Sequence, residues 1–157
     1  TMIDGGIDFE KSKKLPQSIT DKLRIGFSYP NDILLSHKGT VGEVAIVPED
    51  IEYPYLMLTP QVTLYRTNEN RLRHRFLYFV FSSNYFQNQI FRLSSQSTRA
   101  YVGITSQRGF KLVVPSSLQE QDKVIEILGK VDENLKTIYS KIFQSKSLQK
   151  SIINQIF

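Results

Sequence analysis

The residue types that usually carry catalysis or bind metals are few in this chain. The two histidines, His37 and His74, belong to neither an H-x-x-x-H nor an H-x-H set, so their spacing does not indicate a metal site. The absence of cysteine excludes disulfides, thiolate zinc sites and a cysteine nucleophile. There is no G-x-S-x-G nucleophile motif and no dinucleotide-binding glycine fingerprint. We therefore expect a binding module rather than an enzyme, with no metal and no cofactor bound by this chain.

A glycine-bracketed turn at residues 38–42 is the first candidate for contact with an anion. It lacks the spacing and the third glycine of a phosphate-binding loop and leads into strand residues, which argues against nucleotide binding. Its tip nevertheless offers free amides, the ammonium of Lys38 and the hydroxyl of Thr40, which suit a DNA backbone or base edge. The alternative is that Gly39 and Gly42 only satisfy the geometry of the turn.

The segment from Leu93 to Gly109 is the second candidate, because it is rich in hydroxyl, amide and guanidinium groups. Arginine can bind guanine bidentately, glutamine can bind adenine, and hydroxyls can bind bases or phosphates. A plain surface loop can have the same composition. The side chains predicted to contact DNA in the two segments are Lys38, Thr40, Ser97, Thr98, Arg99, Tyr101, Gln107 and Arg108.

The positive charge is concentrated in one part of the sequence. Between Asn70 and Gln119 there are seven lysines and arginines and no acidic residue, within a chain of net charge +5. Such a block favours a polyanionic partner. The alternative is a solvated basic face of an assembly or scaffolding module, balanced by acids elsewhere such as Glu49, Asp50 and Glu52.

These segments must be positioned by the strands and helices of one globular domain, residues 1–115, which we call the head. Short apolar runs at 33–35, 44–47 and 62–65 predict strands, and 71–93 predicts two helices packed on the sheet with a mainly structural aromatic cluster. The alternation at 110–114 predicts a final strand. No run approaches the roughly 20 apolar residues of a membrane-spanning helix, so a cytoplasmic location is expected. We predict an α/β (α+β) fold, mostly β with packed helices, over residues 1–115.

From about Ser117 the sequence predicts one long helix with a coiled-coil seam. Ser117 and Glu120 form a capping-box pattern after Pro115. Gly129 and Asp132 predict a bend or break, and Ser145 and Gln149 are polar interruptions of the seam. Apolar residues at alternating spacings of four and three predict self-association of residues 116–157. The predicted pairing residues are Val124, Leu128, Val131, Leu135, Ile138, Ile142, Ile152 and Ile156.

Several segments, taken in order, resemble the target recognition domain of Type I restriction-modification specificity subunits. Together they cover about residues 32–157. They are Asp32-Ile33-Leu34-Leu35, the turn 38–42, Val44-Ala45-Ile46-Val47, 53–61, Phe76-Leu77-Tyr78, Ser82 to Phe86, Ser97-Thr98-Arg99, the proline followed by Leu118, Glu120-Gln121 and Ile125, and Ile152 to Phe157.

The resemblance implies a recognition domain at 1–115 followed by a helical spacer and dimerisation region at 116–157. In that family two such units normally stand in one chain, their helices pair antiparallel, and each domain reads half of a split double-stranded DNA target. The specificity subunit does no chemistry. Methylation with S-adenosylmethionine belongs to the modification subunits, and ATP-driven translocation and cleavage belong to the restriction subunit. Partners implied for this chain are DNA, those subunits, and a second copy or second half.

The sequence departs from the family pattern in three ways. It holds one recognition domain and one helix, which leaves open a fragment, one half, or a half-size subunit that must dimerise. It has no tryptophan and starts within the family's opening region, so that region is expected to be truncated. Ser97-Thr98-Arg99 replaces a Gly-Thr-Arg-like loop, which reduces backbone freedom there.

A methyltransferase fragment is disfavoured because the Asn-Pro-Pro-aromatic motif is absent.

Overall fold

Short antiparallel strands followed by helices make up the chain, whose computed structural model describes residues 2–3, 5–95 and 100–156. The strands are β1 Met2–Ile3, β2 Gly6–Ile7, β3 Phe27–Ser28, β4 Ile33–Ser36, β5 Val44–Ile46, β6 Leu56–Met57 and β7 Val62–Tyr65. The helices are α1 Gln17–Thr20, α2 His74–Ser82, α3 Asn84–Ser94, α4 Ile104–Gln107 and α5 Leu118–Ile156. The mixed α+β class predicted from the sequence is confirmed.

Strand β4 is the centre of the largest sheet, which has the antiparallel order β5-β4-β7. Ile33 faces Ile46 on one side and Tyr65 on the other. All four β4 residues are buried because Ile33 and Leu35 pack toward the helices while Leu34 packs into a second cluster on the opposite face. A strand covered on both faces reads as a continuous apolar run, which is why the sequence indicates it clearly. The predicted strand–turn–strand unit is confirmed.

Helices α2 and α3 cover one face of this sheet and carry the aromatic core. The rings of Phe81 and Phe86 stack with their centroids 4.1 Å apart, and Tyr65 meets the Phe81 ring edge to face. Ser83 caps α3 by accepting a hydrogen bond from the amide of Phe86. The two predicted helices and the structural role of the aromatic cluster are therefore confirmed.

The predicted strand at 110–114 is wrong. The segment pairs instead with the side-chain amide of Gln89: the Lys111 amide donates to Gln89 Oε1 at 3.0 Å, and Gln89 Nε2 donates to the Lys111 carbonyl at 2.9 Å. The chain passes along α3 here rather than along a sheet edge. The segment therefore has no neighbouring strand to pair with. The side chain of Gln89 makes the two hydrogen bonds to the Lys111 backbone that a neighbouring strand would otherwise have made.

Helix α5 begins where the capping pattern predicts and runs for 39 residues, about 60 Å at the standard helical rise. Ser117 Oγ accepts a hydrogen bond from the Glu120 amide at 3.3 Å. The helix continues through Gly129 and Asp132 without a break, and Asp132 forms an ion pair with Lys136 instead of capping a new helix. The bend at this point stays a prediction. Among the described residues, no helix is long and apolar enough to span a membrane.

Candidate functional site

The hairpin tip between β4 and β5 lies beside the start of the 101–108 segment, although the two are distant in sequence. The amide of Val102 donates to the carbonyl oxygen of His37 at 2.9 Å. Lys38 and Tyr101 form an antiparallel β-bridge. The structure therefore brings together two of the groups of residues that the sequence assigns separately to DNA contact.

His37 contributes to this junction between the hairpin tip and the 101–108 segment. Its ring is largely buried, Nδ1 lies 2.8 Å from Thr63 Oγ1, and its centroid is 5.8 Å from that of Tyr101. Burial, together with the charge of Lys38, lowers the pKa of His37, so the imidazole is neutral at neutral pH. His37 is thus a structural residue of the junction and not an isolated metal-ligand candidate.

Lys38, Gly39 and Thr40 project from the tip into solvent. Ser36 holds the turn from its inner side, since its hydroxyl donates to the Thr40 carbonyl and accepts from the Glu43 amide at 2.9 Å. Gly39 has a φ of +81° and no atom within 4 Å of where a Cβ would stand, so glycine is required here by backbone conformation and not by crowding. The side chains of the tip are therefore presented on a fixed backbone.

The 101–108 segment divides its side chains between solvent and core. Tyr101 and Arg108 are exposed, as the sequence predicts. Gln107 is not on the candidate DNA surface: it is only 6% exposed, its Oε1 accepts from the Tyr65 hydroxyl at 2.7 Å, and its Nε2 donates to the Val102 carbonyl at 2.9 Å. A helix of one turn, α4, has an inner side, and Gln107 is its buried residue. Its prediction as a base-reading group is corrected to a role in holding the segment.

Burial raises the pKa of Tyr65 to about 12, so its hydroxyl stays protonated and keeps donating to Gln107.

Among the described residues, neither Lys38 nor Arg108 takes part in an ion pair with a carboxylate. Both charges are consequently available to an external anion. Ser97, Thr98 and Arg99 lie outside the described residues, and their assignment stays a prediction from the sequence.

The other predicted surface, the seam of α5, faces away from the head. The helix turns Gln121 and Gly129 inward toward α2, whereas Val124 is only partly covered. The remaining predicted pairing residues are between 38% and 68% exposed. These are Leu128, Val131, Leu135, Ile138, Ile142, Ile152 and Ile156. This apolar stripe, interrupted by the polar residues Ser145 and Gln149, is left without a partner among the described residues of the single chain.

The described residues form an antiparallel α+β head that presents Lys38, Thr40, Tyr101 and Arg108 to solvent, followed by the long helix α5. Over residues 17–144 the chain matches the family described as the Type I restriction modification DNA specificity domain. The chain belongs to this family of specificity domains, which are not catalytic. The resemblance found in the sequence is thereby confirmed, as is the expectation of a non-enzymatic module.

A solved structure concerned with complex assembly and conformational transition of the type I R-M system contains a chain of similar fold. The TM-score is 0.55 at 16% sequence identity, over 71% of this chain and 28% of that chain. At this identity the similarity concerns the fold alone. The matched part of this chain thus spans little more than a quarter of the length of that relative. No group of histidines and carboxylates able to hold a metal ion occurs among the described residues.

Four polar residues with structural roles were not indicated by the sequence. His37, Thr63 and Tyr65 support the junction, and Gln121 is fully buried where α5 leaves the head. Only Thr63 carries a local signal, as a hydroxyl within an apolar strand. The burial of the others depends on contacts between segments that are distant in sequence.

Proposed function

We propose that this chain is a sequence-specific reader of one half of a split double-stranded DNA target and that it couples reading to modification and restriction subunits through α5. The observation that carries the proposal is the backbone pairing of Lys38 with Tyr101. The pairing joins the backbone of the segment that carries the exposed Lys38 and Thr40 to that of the segment that carries the exposed Tyr101 and, seven residues further along the chain, the exposed Arg108. DNA readers need both charge for the phosphates and directional groups for base edges.

Charge supports DNA over other partners. Seven cations and no acid lie between Asn70 and Gln119. Of the described cations in that block, Arg73 is bound to Asp122. A basic surface next to groups that can form directed hydrogen bonds fits a phosphate backbone with accessible base edges. The alternative function, an assembly module with a basic face, predicts that the chain binds no duplex even at low salt.

The roles divide by side-chain chemistry. Arg99 and Arg108 read bases, because a guanidinium can bind two acceptors of guanine together. Lys38, Thr40, Ser97, Thr98 and Tyr101 position the phosphates and sugars. Gln107 holds the 101–108 segment in place from its inner side. The chain itself binds no cofactor, and the partner modification subunits use S-adenosylmethionine.

Helix α5 provides the second half of the proposed function. It pairs antiparallel with the helix of a second copy or second half along the exposed seam. Burying an aliphatic side chain of this size is worth about 1.5–3 kcal/mol, so several seam residues outweigh the cost of association. Residues 1–115 would act as the recognition domain and residues 116–157 as the spacer and dimerisation region.

The proposal is tested by selection from randomised duplexes with the reconstituted assembly of this chain and its modification subunits. Enrichment of a defined half-site, with binding that falls steeply as salt increases, is expected. Arg108→Ala should remove discrimination at about one base position at a cost of about 1–3 kcal/mol on the selected site. Arg24→Ala is the matched control, because it removes the same charge from an exposed site outside the basic block.

Two results would contradict the assignment. Absence of duplex binding at low salt would favour the assembly module. An Arg108→Ala protein with the same sequence profile as the unmodified assembly would remove Arg108 from the reading surface.

A further inference from the structure

Gln121 occupies the point at which α5 leaves the head, and no part of it reaches solvent. Its Oε1 accepts a hydrogen bond from the amide of Arg73 at 3.0 Å. Its Nε2 donates to the carbonyls of Arg71 and Pro115, each at 3.2 Å. One amide thus joins three stretches of backbone: the approach to α2, the approach to α5, and α5 itself.

A second contact lies directly beside this one. The guanidinium of Arg73 binds the carboxylate of Asp122 with both ends, Nε to Oδ1 at 2.9 Å and Nη2 to Oδ2 at 3.1 Å. Such a forked pair restricts orientation as well as distance. The same residue, Arg73, therefore meets α5 through its backbone at Gln121 and through its side chain at Asp122.

These contacts are confined to the first third of α5. Gln121 and Gly129 are its buried residues, and every described residue from 133 to 156 is exposed. The direction of the far part of the helix is consequently set by contacts of its first third with the head. Because a helix rises about 1.5 Å per residue, a tilt of about 10° at Gln121 displaces the far end by roughly 9 Å. That displacement exceeds two base-pair steps of about 3.4 Å each.

Helix α2 connects the start of α5 to the sheet that carries the candidate DNA surface. It packs on the sheet that carries the hairpin tip, with Leu77 and Phe81 in the same core cluster as Ile33 and Leu35. The tip and the start of α2 therefore belong to one packed unit. Gln121, the Arg73–Asp122 pair and the buried Gly129, which lies near Arg75 of α2, are contacts between that unit and the helix.

We propose that Gln121, together with the Arg73–Asp122 pair, fixes the angle between head and helix and so determines which spacing between two half-sites the assembly accepts. The inference rests on the proposed function as a half-site reader. Gln121 is a positioning residue in this scheme and touches no DNA. Its amide is suited to the role because one side chain supplies both an acceptor and two donors, and no apolar residue can satisfy the three backbone groups.

The test compares the unmodified chain with Gln121→Met and with Gln119→Met in the reconstituted assembly. Gln119 is an exposed glutamine in the same turn of α5 and serves as the matched control. Each assembly binds a duplex library in which the two selected half-sites are fixed and only the number of base pairs between them varies. Gln121→Met should reduce the preference for the best spacing over its neighbours by about tenfold, with half-site sequence preferences unchanged. An unaltered spacing profile would overturn the inference.

A measurement without DNA separates this inference from the proposed function. The chain has no cysteine, so Asp50→Cys on the head and Ser147→Cys on the helix give a unique pair of spin-label sites, both exposed. The label-to-label distance, measured after dilution with unlabelled chain, should spread in Gln121→Met and not in Gln119→Met. If the unmodified assembly binds no duplex, the proposed function fails. The label-to-label distance still tests whether Gln121 fixes the angle between head and helix. Equal distributions in all three proteins would refute the role of Gln121.

Loss of the buried amide could also unfold the head, and a milder variant covers that outcome. Asp122 is half exposed, so Asp122→Ala opens the forked pair without leaving a buried group unpaired. Near-ultraviolet circular dichroism verifies that the head stays folded. The inference then requires Asp122→Ala to broaden the spacing preference in the same direction as Gln121→Met but by less. A folded Asp122→Ala protein with the spacing profile and label distances of the unmodified chain would count against it.

Discussion

The hydroxyl of Tyr65 donates a 2.7 Å hydrogen bond to Oε1 of Gln107, and this bond ties α4 to the edge strand of the central sheet. Gln107 passes the connection on through Nε2 to the Val102 carbonyl, and the Val102 amide is bound to the His37 carbonyl. The chain of contacts therefore leads from the sheet to the hairpin tip. The candidate surface is therefore held by buried polar groups rather than by flexible side chains at its rim.

Tyr65→Phe tests this support directly. It removes one hydrogen bond and leaves Gln107 Oε1 buried without that partner, so the free energy of unfolding should fall by about 1–2 kcal/mol. The measurement is denaturant unfolding of the isolated chain, followed by duplex selection. Sequence discrimination should weaken more than binding to unrelated duplexes, because positioning and not charge is lost. Tyr85→Phe, at an exposed site on α3, is the control. Equal stability of the two variants would contradict the role given to Tyr65.

The local part of the fold could be predicted from the sequence because its signals are local. Strand β4 is a buried apolar run, and Ser83 and Ser117 mark the starts of α3 and α5 as caps. The alternation at 110–114 is equally visible, yet it gives no strand. A strand needs a neighbouring edge, and the neighbour here is Gln89 of a helix.

The buried glutamines mark the limit of sequence reasoning about the site. Gln107 and Gln121 are of a residue type that is usually exposed, and nothing adjacent in sequence distinguishes them from Gln119. Their burial depends on Tyr65 and Arg73, which come from other parts of the chain. Residue type therefore identifies the candidate surface of Lys38 and Arg108, but the groups that hold it require the structure.

The carboxylate of Asp32 should make stability depend on acid pH. Burial alone would raise the pKa of Asp32, but hydrogen bonds from Arg66, the Tyr29 amide and Ser28, with the charge of Arg66, outweigh burial and lower it. A pKa that is lower in the folded state contributes stability above the unfolded value of 3.8, and this contribution is lost as pH falls through the folded pKa.

Asp32→Asn is the variant that isolates this effect. At neutral pH the free energy of unfolding should fall by about 1.5–3 kcal/mol, the range for a hydrogen bond to a charged group, whereas the difference from the unmodified chain should shrink below about pH 4. Urea unfolding at several pH values measures both quantities. Asp50→Asn, at an exposed site, controls for the change in net charge. A constant difference across the acid range would show that Asp32 contributes through shape and not through its ionisation.

Gly129→Ala should stabilise the head–helix junction. Glycine inside a helix costs about 1 kcal/mol relative to alanine. An added Cβ would stand 3.5 Å from Arg75 Nη2, which is ordinary van der Waals contact, so the full gain of about 1 kcal/mol is expected on thermal unfolding. Ser140→Ala, at an exposed site of α5, calibrates the gain from helix propensity alone. Destabilisation by Gly129→Ala would instead support the bend that the sequence predicts at this glycine.

Ile138→Lys should separate paired chains while leaving the head intact. Ile138 is 52% exposed in the single chain, so the substitution removes little that stabilises the monomer. In an antiparallel pair along the seam it would place a charge in the apolar contact of both chains, at a cost of several times the roughly 1.5–3 kcal/mol carried by one buried isoleucine. Light scattering should then report the 18.1 kDa monomer in place of a dimer.

The control for this prediction uses another face of the same helix. Phe143 is 75% exposed and lies outside the predicted pairing residues, so Phe143→Lys adds the same charge and should leave the dimer mass unchanged. Since the seam is the surface that the head leaves uncovered, the two variants distinguish pairing along it from nonspecific association of an apolar helix. An unmodified chain that scatters as a monomer at every concentration would refute pairing of α5 in isolation and require a partner subunit to cover the seam.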